Sequence, residues 1–451
     1  MSTLDTHAQA TAAENPDLAA AARAAVLFTL PLYEMSRMRS ATSARRDSAG
    51  HFAGGSPEST CRWANQWVHT REPLGPRNRE VVTPNNDTLY SSTWLDLAHG
   101  PLLLDVPPML GRYFVLGLLD FYTNPFGYVG TRTTGNDGGV FLLHGPDWNG
   151  TVPDGVEAIA CPTDSTWLIG RILVDGADDV AQVVALQDRL TLRPLPGSGA
   201  RVPSLIDAGM QPRDRAGDPT FFVRVVNRAL AECPPPAEAE DDLACFAICG
   251  IGPGLDANAL SRQQHDAIEK ALAEALDELS GALPSALGGG WALPVAVRDS
   301  FGTRYRERAQ VALNYIGALG IEEAMYIIAD RDAANAPLDG RMQYLLHFLP
   351  EALPQTDAFW SITMYDKTTR MLVDNPLQRY SIGDRTRGLH YDSDGGLRIA
   401  ISADEPVDPA LRSNWLPAPP SGFYLALRLY VPRAPHLSLT FAYPPIRLSA
   451  C

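Results

Sequence analysis

RYFVLGLLDFY, residues 112–122, is the stretch from which the fold is read. Period-two alternation puts Tyr113, Val115, Leu119 and Phe121 on one face and Phe114, Leu116, Leu118, Asp120 and Tyr122 on the other. The segment is the clearest strand in the chain. Asp120 shares its face with three leucine or phenylalanine side chains, and a carboxylate so placed needs a partner or a shifted pKa. Asp120 is therefore a candidate acid or base, with pairing to an arginine as the structural alternative.

Just upstream, VVTPNNDTLYSSTWLDL (81–97) holds a turn and a second strand. Pro84 fixes φ, and Asn85, Asn86 and Asp87 bond their own backbone, so PNND is a turn with a mechanism. Asp87 and Tyr90 are candidate catalytic groups, and Asn85 and Asn86 are expected to orient a substrate or hold Asp87. The bland alternative is a turn whose side chains only cap the backbone. Downstream, Gly135 and Gly138–Gly139 mark hairpin turns, and WLIGRILV (167–174) is a further strand. Arg132 and Arg171 are candidate partners for an anion or carboxylate. No GxxxxGK[ST] and no strand-linked GxGxxG occurs, which argues against phosphoryl-transfer and nicotinamide chemistry.

Beyond 200 the pattern changes. FFVRVVNRALAEC, DDLACFAICGIG and SRQQHDAIEKALAEALDELSGAL read as helices, with Ser261 as a cap, and another helix spans about 298–318. Strands return from 321: QYLLHFLP, DAFWSITMYD, LRIAISAD, YLALRLYVP and LSLTFAY. In the fourth, Tyr424, Arg428 and Tyr430 share a face, a candidate grip for an anion or carbonyl. Many short strands in two blocks without a βαβ rhythm predict a mainly β protein. It would have two antiparallel jelly-roll or sandwich domains, 61–200 and 320–451, joined by a helical segment, 201–319. A helix and loop (17–60) and a disordered tail (1–16) would precede them.

The 451 residues carry a net charge of −15 and a pI near 5.0, which argues against a nucleic-acid surface or a polybasic membrane patch. Six scattered cysteines without a CxxC pair read as reduced thiols, and nine histidines without HxH or HExxH give no metal motif. The first thirty residues lack a basic region followed by an apolar core, and no uninterrupted apolar run reaches membrane-spanning length. The expectation is a cytoplasmic protein with no membrane, nucleic-acid, metal or cofactor partner, forming a homodimer that covers its sheet edges.

Two sets of segments carry a family resemblance. The first is TPNNDTLYSSTWLDL, PPMLGRYFVLGLLDFYTNPFGYVGTRTTG and WLIGR. The second is YIIADRDAANAPLDGRMQYLLHF, FWSITMYD, NPLQRYSIGD and NWLPAPPSGFYLALRLYVP. Together, over roughly 30–445, they resemble the bacterial and viral proteins that join domains of unknown function 1254 and 1214. The resemblance implies a tandem jelly roll with helices around and between the β domains, and no agreed activity.

From the chemistry of the residues alone, the expected function is a cofactor-independent hydrolase, lyase or isomerase acting on a small or medium organic molecule. Asp87 and Asp120 would supply acid and base in one pocket, Tyr90, Tyr122 and Tyr430 hydrogen bonds, and Arg428 or Arg171 charge stabilisation. Asn85, Asn86, Arg132, Arg171, Trp360 and Tyr430 would bind the substrate. The alternative is a non-catalytic ligand-binding, glycan-binding or assembly protein, with Trp94, Trp148, Trp360 and Trp415 as stacking platforms.

Overall fold

A computed structural model of the chain describes residues 16–45, 62–78, 83–206, 216–294, 296–298 and 300–449. The expected tail, most of the 40–60 loop, and Cys61 and Cys451 lie outside the described residues.

The chain is mainly β, with several sheets and eight short or long α-helices among the described residues. Strand Phe114–Leu119 lies inside a five-stranded antiparallel sheet ordered Val68–His69, Thr88–Asp96, Ser165–Leu173, Phe114–Leu119, Pro125–Gly130. Its alternation divides two cores. Phe114, Leu116 and Leu118 pack with Leu104, Phe141, Leu168 and Ile172 against a four-stranded sheet of Thr191–Pro194, Leu102–Val106, Gly139–His144 and Glu157–Ala160. Tyr113, Val115 and Leu119 belong to the core on the opposite side, which includes the helices. The alternation ends where the strand ends. Beyond Leu119 the chain turns, and Tyr122 joins the helix-side core rather than the face of Leu118.

The second half repeats this layering. A six-stranded sheet runs Ser285–Gly288, Trp291–Leu293, Ala324–Ala329, Phe423–Pro432, Thr356–Asp366, Ser381–Gly383. Its Met325, Ile327, Ile362, Met364, Leu425 and Leu427 pack on a four-stranded sheet of Trp415–Pro417, Leu397–Ser402, Tyr344–Phe348 and Arg447–Leu448. Two neighbouring pairs are parallel, Gly139–His144 with Glu157–Ala160 and Leu397–Ser402 with Trp415–Pro417, so the sheets are not wholly antiparallel.

Two further details differ from the sequence reading. The hairpin Ser285–Leu293 comes from the stretch read as helical and adds two strands to the second sheet. Its reversal needs glycine: Gly290 has φ of 96°, and a Cβ there would sit 2.3 Å from the carbonyl oxygen of Arg331. LSLTFAY forms no strand; a short helix, Ala434–Leu437, runs into it and irregular chain follows. Pro435, Pro444 and Pro445 bracket the segment and deny it the donors a ladder needs.

Helices Pro16–Thr42, Pro219–Glu232, Arg262–Ser280 and Tyr305–Asn314 pack together against the free face of the five-stranded sheet. Ser261 caps the third through a capping box with Gln264, its side chain accepting from the Gln264 amide at 3.3 Å. Asp17–Thr42 is long and apolar enough, by length and composition, to cross a membrane, but 72% of its most apolar window is buried in this helical layer. An apolar circumference is what a helix surrounded by other elements requires.

Candidate active site

The 83–87 turn is where the two halves of the chain meet. Asn85 Oδ1 accepts from the Asp87 amide at 2.7 Å, an Asx turn of the kind the PNND spacing predicts. Several of its other bonds go to the six-stranded sheet, while the Val174 amide donates to Asp87 O at 3.0 Å from the five-stranded side. Tyr365 Oη donates to Pro84 O at 2.6 Å, Asn85 Nδ2 donates to Tyr430 Oη at 2.6 Å, and Arg428 Nη2 donates to Thr83 O at 3.1 Å. The face of that sheet carrying Ser361, Thr363, Tyr365, Arg428 and Tyr430 is the one turned away from its own sandwich core.

Asp87, only 6% exposed, lies at the floor of a cleft of about 290 Å³. Ser361 Oγ donates to its Oδ2 at 2.6 Å, and Arg385 Nη2 reaches its Oδ1 at 3.1 Å. One wall is Asn86, Asp87 and Val174–Gly176; the other is Trp360, Ser361, Ser381, Gly383 and Arg385–Arg387. Arg385 is held in turn by Val174 O at 3.0 Å and by the Phe359 ring, 4.3 Å below its guanidinium carbon. Asn86 Oδ1, buried in the wall, has no hydrogen-bond partner among the described residues.

Asp384 stands beside these groups. Its Oδ1 accepts from the Trp360 amide at 3.3 Å. Surrounding protein strips water from the carboxyl and pushes its pKa up to about 6; the Trp360 amide and Arg385 oppose the rise and the charge of Asp87 adds to it. Asp87 and Asp384 thus form a neighbouring pair of carboxyl groups in unlike surroundings, one bound by an arginine and a hydroxyl, the other desolvated.

Asp120 is not in this cleft. Thr88 pairs with Leu173 at one end of the five-stranded sheet, and Leu119 pairs with Trp167 at the other. At about 3.3 Å per residue the two acids are roughly 20 Å apart. The shared pocket expected for them does not form, because strands Thr88–Asp96 and Phe114–Leu119 run the same way, with the acids at their opposite ends. Asp120 caps its own turn instead: it accepts from the amides of Tyr122 and Asn124, each at 2.9 Å, and from Asn124 Nδ2 at 2.8 Å. Burial raises its pKa, while the Asn124 bonds, the charge of Arg308 and the Tyr122 amide pull it down. Arg308, the charge that answers it, lies against the rings of Phe28, Tyr305 and Tyr122.

The remaining expected residues fall into place one by one. Tyr122 Oη donates to Cys233 O at 2.9 Å in the helical core. Arg132 pairs with Glu323 at 2.6 Å, and Glu323 also accepts from Tyr113 Oη at 2.8 Å. Tyr90 and Arg171 sit opposite each other on neighbouring strands, with the guanidinium 5.4 Å from the ring. Arg428 is 3% exposed and donates to Thr363 Oγ1 at 2.8 Å and Tyr365 Oη at 2.7 Å. Tyr430 stacks on Phe359 at 4.2 Å. Trp360 lines the cleft, whereas Trp94 and Trp415 are buried in the cores. Of the expected residues, then, Asn86, Asp87 and Trp360 line the cleft and Asn85, Arg428 and Tyr430 hold its floor from behind. Ser361, Asp384, Arg385 and Arg387 were missed; the first and the two arginines line the cleft, and Asp384 stands beside it. The signal for the last three was the SIGDRTR run, 381–387, in which an aspartate and two arginines crowd a turn after a strand; Ser361, inside a strand, left none.

The one group among the described residues with metal-ligand spacing is His265, Asp266 and Glu269, on the exposed side of a helix and away from the cleft. Cys161, Cys233, Cys245 and Cys249 are free thiols.

Comparison with known proteins matches the two halves separately. A family model described as protein of unknown function DUF1254 matches residues 64–194, and one described as protein of unknown function DUF1214 matches residues 323–434. No curated protein matches. Among solved structures, the VPA0106 protein of Vibrio parahaemolyticus is similar over 96% of this chain and 100% of its own, with a TM-score of 0.74 and 25% identity. An uncharacterized protein of Burkholderia cenocepacia aligns over 96% of this chain and 94% of its own with a TM-score of 0.42 and 11% identity, too distant a likeness to carry an argument. One wall of the cleft comes from each matched region, and the chain belongs to the proteins that join a DUF1254 region to a DUF1214 region.

Proposed function

We propose that the chain is a cofactor-independent enzyme performing acid–base chemistry on a small organic molecule in the cleft between its two β regions. The observation that carries this is a desolvated carboxyl, Asp384, close enough to Asp87 for the charge of Asp87 to act on it. Burial lets Asp384 hold its proton to higher pH than an ordinary carboxyl, which suits it to the acid role beside a second carboxyl group. Asp384, with a pKa near 6, is the proton donor, and Asp87, fixed by Ser361 and Arg385, is the carboxylate that accepts or stabilises positive charge. Arg387 and Arg385 supply positive charge for an anionic group on the substrate, and Asn86 Oδ1 is an acceptor with bonding capacity to spare. A cleft of about 290 Å³ suits a small metabolite rather than a polymer. Hydrolysis, elimination and isomerisation remain the reaction classes this set of groups can serve.

In this reading each pair of sheets is a jelly roll and the helical segment is the joint that fixes the two at the cleft. The layering of two cores on either side of the junction supports it. The experiment is a screen of small metabolites for thermal stabilisation, followed by turnover assays on those that bind. Turnover that falls about 10²–10⁴-fold in Asp384→Asn, with binding retained, is the result expected for a lost general acid. Binding without turnover of any stabilising compound would favour a ligand-binding protein instead.

A further inference from the structure

Behind the cleft floor, between the five-stranded and six-stranded sheets, the charges do not balance. Glu323 and Asp87 are buried there and are answered by Arg132 and Arg385. Arg171 and Arg428 are also buried, at 5% and 3% exposure, and neither forms an ion pair among the described residues. Arg428 spends its two terminal nitrogens on Thr363, Thr83 and Tyr365 and leaves only Nε unpartnered. Arg171 is less satisfied. Its Nη2 donates to Gly317 O at 3.0 Å, while Nε and Nη1 have no partner among the described residues. A guanidinium carries five N–H donors, so with one bond made four of them are left without a partner among the described residues. A buried cation without an anion and without hydrogen bonds is strongly unfavourable.

The surroundings of Arg171 are phenolic. The charges of Tyr326, Tyr90, Tyr430 and Tyr113 all bear on it, and each would stabilise the guanidinium if ionised. Burial raises the pKa of Tyr113, Tyr326 and Tyr430, which are therefore not free to ionise. They are, however, O–H donors. Tyr113 spends its O–H on Glu323, whereas Tyr430 Oη accepts from Asn85 Nδ2 and keeps its own proton. Tyr90 and Tyr326 make no side-chain hydrogen bond among the described residues, and both keep accessible surface although they face the packed layer between the sheets.

We propose that Arg171, Tyr90 and Tyr326 form a buried binding site for one small monovalent anion of the size of formate, nitrate or a halide. Its ligands would be Arg171 Nε and Nη1 and the two free phenolic hydroxyls. The anion neutralises a cation that the fold otherwise leaves uncompensated. It also locks the two sheets together, since Arg171 and Tyr90 come from one and Tyr326 from the other. The site is separate from the cleft and does not depend on the cleft being catalytic.

The test uses the full chain. Wild-type protein is melted in rising sodium formate, against sodium gluconate at the same ionic strength, and crystals are soaked in sodium bromide for anomalous diffraction. The expected results are a saturable rise in Tm with formate alone and a bromide peak in contact with Arg171 Nε or Nη1. In Arg171→Lys, which keeps the charge and loses the fork, formate binds at least about tenfold more weakly. Tyr326→Phe weakens it in the same direction, and Asp87→Asn leaves it unchanged. A water in place of bromide at Arg171, in crystals with other bromide sites filled, overturns the proposal. So does an equal formate response in Tyr326→Phe and wild type, or its loss in Asp87→Asn. Should Arg171→Lys fail to fold, the bromide peak and Tyr326→Phe decide the matter alone.

Discussion

Ser361 Oγ donates a 2.6 Å hydrogen bond to Asp87 Oδ2, joining residues 274 positions apart in the chain. The acceptor sits in a turn of the DUF1254 region and the donor in the longest strand of the DUF1214 region. Neither region by itself places a hydroxyl against this carboxylate, so the candidate site exists only when both halves are docked. Removing the donor leaves a buried carboxylate with one fewer partner. Ser361→Ala is expected to cost about 1.5–3 kcal/mol of stability, the range for a hydrogen bond to a charged group, as read from urea unfolding.

Asp120→Asn is expected to be a stability variant. The carboxylate accepts three bonds within its own turn and faces the buried charge of Arg308. Asparagine keeps one acceptor oxygen and removes the charge, so a loss of about 1–3 kcal/mol is expected. Activity per folded molecule should stay within about twofold of wild type, because the cleft is roughly 20 Å away. A folded variant without activity would restore Asp120 as a catalytic candidate.

The pH dependence of turnover follows from Asp384. A proton donor with pKa near 6 is loaded below that pH and empty above it. For any substrate found, kcat/KM should therefore fall as pH rises through about 6, and this limb should vanish in Asp384→Asn. An unchanged limb in the variant would assign it to another group.

Stability should show the opposite trend in acid. His436 Nε2 accepts from the Gln355 amide at 3.0 Å, so its proton sits on Nδ1, which meets Tyr443 Oη at 2.8 Å. Burial lowers its pKa from 6.5 to about 4. His69, stacked on Trp67, is lowered to about 4 by burial and by Arg71. Between pH 6.5 and 4 the unfolded chain binds protons at these two histidines that the folded chain does not. Stability is then lost as pH falls through that window. Asp384 works against them, since its raised pKa makes the fold lose stability as pH rises from 3.8 to about 6. The Tm of His436→Gln should decline less steeply than wild type between pH 6.5 and 4, in differential scanning calorimetry.

Much of this architecture was legible in the sequence. The alternation of RYFVLGLLDFY assigned Phe114, Leu116 and Leu118 to one face and Tyr113, Val115 and Leu119 to the other, and the two faces pack into different cores. It failed at Asp120, because a period of two holds only while the strand lasts and this one ends at Leu119. The PNND turn was legible too, since Asn85 and Asp87 bond locally. Its clasp by Tyr365, Tyr430 and Arg428 was not, because contacts between distant segments leave no local pattern. The quoted motifs of the second half prove a poor guide to chemistry for the same reason. Asn375, Arg379 and Asn414 bond backbone carbonyls of loops and of strands Trp415–Pro417 and Leu397–Ser402, so their distinctive spacing records how loops are stitched to the sheet. The cleft arginines lay just past the NPLQRYSIGD motif, in a turn where a charge cluster reads as ordinary surface.

The most direct test of the account is turnover of the metabolite that most stabilises the wild-type protein, measured side by side in wild type, Asp87→Asn and Asp384→Asn. The account predicts that both variants remain folded and lose about 10²–10⁴-fold in kcat. Full activity in either folded variant would contradict the assignment of acid and base to this cleft.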